Sequence, residues 1–168
     1  MSGSKSRRPA NRIARFKKLE LSAQEETTLI ELALARLTER NRPGETFTGP
    51  GDAEGYLRLK LGSCKYEVFG AVFLDNRHRI LALEELFQGT IDGTSVYPRV
   101  VVQRALELNA AALVLYHNHP SGVAEPSHAD EAITKRLKAA LDLVDVRVLD
   151  HFVVASGESV SFAARGLL

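Results

Sequence analysis

The sequence predicts an α/β fold, a mixed sheet flanked by helices, and three observations carry that expectation. Two β-rich runs surround a polar turn within residues 65–86, and later segments place apolar residues at helical spacing. Short apolar runs bounded by turn residues lie between and after those segments, as strands between helices do. With 168 residues, 45% of them hydrophobic, the chain can build one well-cored domain but not two plus linkers.

Residues 1–20 read as a disordered basic arm. Lys5, Arg7, Arg8, Arg12, Arg15, Lys17 and Lys18 occur there with no acid through residue 18, although the whole chain carries a net charge of only +1. Such an arm is either a solvated tail or a salt-sensitive grip on a nucleic-acid backbone through residues 1–18. It offers no aromatic stacking platform before Phe16. Residues 21–47 form an N-terminal helix and its connection. Ser22 is the cap, Glu25 stands three residues on, Ile30, Leu32, Ala33 and Leu37 follow, and Arg42-Pro43-Gly44 ends the helix.

Residues 48–168 form the main domain. A short helix is expected from Gly51 to Leu61, then a hairpin of Lys65–Leu74 and Arg79–Leu86 with His78 solvated in its turn. Ser95-Val96-Tyr97-Pro98 starts a helix presenting Val101, Ala105 and Leu108. It delivers the chain to a buried strand, Ala110–Tyr116. Ser127 caps the next helix, with Asp130 and Glu131 in its first turn and Ile133, Leu137 and Leu141 along one face. Strands over Val144–Val154 and Ser159–Phe162 complete the sheet. The loops Gly89–Thr94 and Pro120–Pro126 are the long connections, and both could shape a cleft.

No apolar run approaches the ~20 residues of a membrane span, and the basic N-terminus lacks the apolar core of a secretory signal, so a cytoplasmic protein without a membrane partner is expected. Cys64, the single cysteine, has no partner for an internal disulfide and reads as a small filler.

Chemistry concentrates in residues 117–130. His117 and His119 stand at a strand end, and their i, i+2 spacing in extended chain projects both imidazoles from one face. Asp130, in the first turn of the following helix, faces that strand end. Two neutral imidazoles and one carboxylate make a three-ligand site for Zn²⁺, with a fourth position open for catalysis. Taken alone, Ser127 and Asp130 also read as an ordinary helix cap and a dipole-compensating acid. Their company with two histidines favours the metal.

The order His117-Asn118-His119-Pro120, six residues, Ser127, two residues, Asp130 resembles the JAMM signature of the MPN/JAB metallopeptidases, without insertion or deletion. His117-Asn118-His119-Pro120-Ser121-Gly122 and Glu125-Pro126-Ser127 resemble the RadC-like branch, as does Glu67-Val68-Phe69 running into Phe73-Leu74-Asp75. So do Glu85-Leu86-Phe87-Gln88-Gly89-Thr90, Val96-Tyr97-Pro98-Arg99 and Asp150-His151, and the resemblance spans about residues 48–168. It implies the MPN/JAB α/β fold and a zinc-dependent hydrolase cutting a peptide or isopeptide bond in a peptide or protein substrate. His117, His119 and Asp130 would bind zinc, and the Ser127 hydroxyl would support the scissile carbonyl or the attacking water. The family's general base is a glutamate before the first core strand. Glu67 is the first choice for it, with Glu84 and Glu85 as alternatives.

Asn118 stands where the JAMM pattern more often has Ser or Thr, and it should point away from the ligands. His128 and His151 are further candidate ligands, with His151 alternatively orienting a ligand from behind. RadC-like proteins are associated by name with DNA repair, and longer members carry an N-terminal helix-hairpin-helix region. No paired Gly-hydrophobic-Gly hairpin precedes residue 48 here, so a nucleic-acid role rests on the basic arm alone. A metal-stabilised interaction module without turnover is the third alternative. Oligomeric state is not legible.

Overall fold

The computed structural model describes residues 20–47, 50–89 and 95–168. The basic arm of residues 1–18 and most of the Gly89–Thr94 loop therefore lie outside the described residues. The elements in chain order are α1 (Ala23–Arg40), α2 (Pro50–Leu61), β1 (Val68–Leu74), β2 (Ile80–Gln88), α3 (Pro98–Glu107), β3 (Ala112–Asn118), α4 (His128–Asp142), β4 (Arg147–Ala155), β5 (Glu158–Ser161) and the single turn α5 (Phe162–Arg165). None of the described helices is long and apolar enough to cross a membrane.

The strands form one mixed sheet in the order β2-β1-β3-β4-β5. All pairings are antiparallel except β3 with β4, whose parallel arrangement requires a crossover, and α4 supplies it. The expected α/β architecture is thus present. Both faces of the sheet are covered, which explains why β1 and the Ala112–Leu115 part of β3 are apolar without polar alternation: every residue in both strands is buried. On one face Tyr56, Leu57 and Leu61 of α2 pack on Val68, Val72, Val114 and Tyr116. On the other, Val101 and Ala105 of α3 with Leu137 and Leu141 of α4 pack on Phe69, Phe73, Leu113 and Leu115.

Ser22 and Glu25 form the expected capping box on α1, each bonding the other's backbone. That helix buries no residue fully, and Leu37 is the side chain it packs against the core. The hairpin turn is held by Asp75, whose Oδ1 accepts from the amides of Arg77 and Arg79 at 2.8 and 2.9 Å. His78 occupies that turn, exposed, with φ of 58°.

Several expected boundaries move, three of them at the ends of helices or strands with a visible cause. The strand expected from Ala110 begins at Ala112, because α3 exits through Asn109 at φ 51° and the Ala110 amide bonds back to Ala105 O at 2.9 Å. The strand expected from Val144 begins at Arg147 for the same reason: Asp145 has φ 58° and the Val146 amide returns to Leu141 O at 3.0 Å. Both are helix-ending motifs that use Asn or Asp in place of glycine. At the C-terminal end, Phe162 leaves β5 and opens α5, capped by Ser161 Oγ accepting from the Ala164 amide at 3.0 Å.

Candidate metal centre

β3 runs two residues further than the sequence suggests, so His117 and Asn118 belong to the strand. His119 continues its ladder, with its amide donating to Val154 O at 2.8 Å. His117 shares the side of the sheet taken by Leu113 and Leu115, the side on which α4 packs. Asp130 of α4 comes down onto it. His117 Nε2 lies 3.0 Å from His119 Nε2 and 3.2 Å from Asp130 Oδ1, and His119 Nε2 lies 3.4 Å from Asp130 Oδ2.

Those separations fit a metal ion. Bonds of about 2.0–2.1 Å at tetrahedral angles put donor atoms about 3.3 Å apart. Two imidazole lone pairs facing each other at 3.0 Å also repel unless a cation or a proton stands between them. The Asp130 carboxylate and the Val123 carbonyl raise the pKa of His119 against the opposing pull of its burial, and the Glu67 charge adds to the rise. Burial pushes Asp130 upward, but its close contacts with the His117 and His119 rings and the Ser127 hydroxyl outweigh it and hold the carboxyl well below its usual range.

Each ligand is supported from behind. His119 Nδ1 donates to Val123 O at 2.8 Å, which leaves Nε2 as the free lone pair of the neutral ring. The loop that supplies this carbonyl turns at Gly122, whose φ is 88°, and is anchored where the Ala124 amide donates to Glu158 Oε1 at 3.0 Å. Ser127 and Asp130 form a capping box. The Ser127 hydroxyl and amide both donate to Asp130 Oδ2 at 2.7 Å, and the Asp130 amide donates to Ser127 Oγ at 3.2 Å. Ser127 lines the cleft, yet its one hydroxyl proton is directed at Asp130.

His151 stands behind His117. It is fully buried, and its Nε2 lies 2.8 Å from His117 Nδ1 while its Nδ1 lies 2.7 Å from Thr134 Oγ1. Burial, reinforced by the neighbouring His117, holds His151 well below its usual pKa and so neutral. Phe69 stacks on His117 at 6.0 Å and 14°, and Phe162 covers His151 at 4.7 Å. His151 thus lies behind His117 and outside the group of His117, His119 and Asp130. His128 does not join the cluster; it opens α4 as an exposed residue.

A cleft of about 590 Å³ opens beside these ligands. Glu67, Phe69, Ser95, Val96, Tyr97, Ile133 and Arg136 line it together with His119, Ser127 and Asp130. Glu67 is the candidate base that reaches the cleft. Glu84 is instead engaged by Arg104 at 2.6 and 2.7 Å, and Glu85 by Lys60 at 2.9 Å, neither of them in the cleft lining. Sequence reasoning missed Thr134. Its signal is the i+4 spacing from Asp130, which puts both on one face of α4.

A family model described as RadC-like JAB domain matches residues 47–167. The chain is 59% identical over 152 residues to a UPF0758 protein of Methylibium petroleiphilum, covering 90% of this chain and 66% of that one. UPF0758 proteins of Nitrosococcus oceani and Thioalkalivibrio sulfidiphilus are 58% and 60% identical over 139 and 141 residues, in each case 83% of this chain and 62% of the relative. The chain therefore spans a little under two thirds of the length of these relatives.

Proposed function

The chain belongs to the RadC-like JAB domain family, and from that premise we propose that it is a zinc-dependent hydrolase cleaving peptide or isopeptide bonds. The observation that carries the reading is the triangle of His117, His119 and Asp130 donor atoms, 3.0–3.4 Å apart, beside a cleft that Glu67 also lines. Two neutral imidazoles and a carboxylate are a donor set suited to zinc, and three protein ligands leave one position open. When bound, zinc would polarise the scissile carbonyl and acidify water at neutral pH.

The protein groups have distinct tasks. His117, His119 and Asp130 would hold the metal, and Ser127 fixes the rotamer of Asp130 through two hydrogen bonds to its Oδ2. Glu67 takes a proton from the attacking water and returns it to the leaving amine. Phe69, Val96, Tyr97 and Ile133 give the cleft apolar wall against which a peptide can lie and from which water is displaced.

A peptide-library cleavage assay on zinc-loaded wild type and Glu67→Gln tests this reading. Cleavage by the wild type that falls by at least a hundredfold in Glu67→Gln, with zinc retained, is the expected result. Bound zinc with no cleavage of any peptide would instead favour a metal-stabilised interaction module.

A further inference from the structure

We propose that Thr134 and His151 are positioning residues that hold His117 as its Nδ1–H form and so keep the Nε2 lone pair directed at the metal. The direction of the hydrogen bonds follows from counting protons. Thr134 Oγ1 lies 2.5 Å from Asp130 O, a carbonyl that can only accept, so the single hydroxyl proton goes there. Toward His151 Nδ1, at 2.7 Å, the hydroxyl can then only accept, and His151 carries its proton on Nδ1. The other nitrogen of that ring is an acceptor. At 2.8 Å it takes the proton of His117 Nδ1, which leaves His117 Nε2 with its lone pair exposed to Asp130 and His119.

Among the described residues no competing hydrogen-bond partner is present along this path. His117, Thr134 and His151 are each 1% exposed or less, so bulk water cannot satisfy the reverse arrangement. Reversal would strip Asp130 O of its hydroxyl donor and put a proton on His117 Nε2, between the three ligand atoms. The path also begins on the backbone of one ligand and ends on the ring of another. It therefore ties the strand-borne and helix-borne ligands together before any metal arrives.

Loss of the Thr134 hydroxyl should free His151 to take the opposite tautomer. Its Nε2–H would then face His117 Nδ1 and force the blocking form. The test compares wild type, Thr134→Val, Thr134→Ser and His151→Phe in two measurements: zinc affinity by chelator competition, and the ring-nitrogen NMR signals of His117 in metal-free protein. Metal-free wild type should carry the His117 proton on Nδ1. Thr134→Val and His151→Phe should bind zinc about 10- to 100-fold more weakly, with Thr134→Val shifting the His117 proton toward Nε2 and Thr134→Ser restoring both properties. Unchanged affinity in folded Thr134→Val, or an Nε2–H His117 in the wild type, would overturn the assignment. The NMR arm needs only the wild type, so it decides even if a variant fails to fold. This inference rests on the proposed metal site for its purpose. A wild type that binds no zinc would defeat the proposed function, and the ring-nitrogen signals would still decide the relay.

Discussion

Asn118 grips the backbone on both sides of Glu67: its Oδ1 accepts from the Val68 amide at 2.7 Å and its Nδ2 donates to Tyr66 O at 3.0 Å. Strand alternation turns Asn118 away from the histidines that flank it, and toward the start of β1. One strand thereby carries two ligands and also fixes the backbone of the candidate base. The Glu67 carbonyl is held too, by the Gly89 amide at 2.8 Å. A serine or threonine hydroxyl has one proton and a shorter reach, and would not span both contacts in this way. Asn118→Ala should lower kcat/KM at least tenfold while leaving zinc content unchanged, measured as steady-state cleavage beside elemental analysis.

Gly70 faces Tyr116 in the β1/β3 register, one step from the Phe69–His117 pair. A Cβ at Gly70 would overlap both the Tyr116 ring and the Glu84 carbonyl, to which the Tyr116 hydroxyl donates at 2.9 Å. Both obstacles are held in place, so neither can yield cheaply. Gly70→Ala should cost about 1–3 kcal/mol, read from urea unfolding, and should weaken zinc binding because β1 is pushed from the strand that bears His117.

Ser127→Ala removes the cap of α4 and one donor to Asp130 Oδ2 together. The expected loss is about 1 kcal/mol of stability in metal-free protein. Zinc affinity should fall as well, since the carboxylate gains rotational freedom. Thermal melts with and without chelator separate the two effects.

The Glu84–Arg104 pair sets a pH dependence remote from the metal. The Arg104 hydrogen bonds hold Glu84 below the usual carboxylate range, against its burial and the charge of Glu107, and Arg104 lowers Glu107 likewise. A lowered folded-state pKa gives stability that is complete above the unfolded value of about 4.3 and lost as pH falls through the folded value. Arg104→Gln should therefore unfold at lower urea than the wild type at pH 7, and the two midpoints should converge below about pH 4. Midpoints that stay apart at acid pH would assign the effect to packing.

The metal cluster was legible because its cause is local: strand periodicity puts His117 and His119 on one face, and the Ser127 cap places Asp130 in the first turn of α4. The α1 capping box and the hairpin around Asp75 were legible for the same reason. The ends of α3 and α4 were not, because Asn109 and Asp145 adopt left-handed φ without a glycine to announce it. Glu67, Glu84 and Glu85 could not be separated by spacing. What distinguishes them is tertiary: Glu67 lines the cleft beside the histidines, and Glu84 and Glu85 do not. Thr134 was invisible for a related reason. An ordinary helix threonine acquires its role only when β4 brings His151 beneath α4.

Elemental analysis of the purified protein beside His117→Ala and Asp130→Ala decides whether His117, His119 and Asp130 hold a metal. Close to one zinc per wild-type chain is expected, lost in both variants while each remains folded. A wild type without stoichiometric metal, or variants that keep it, would overturn the site.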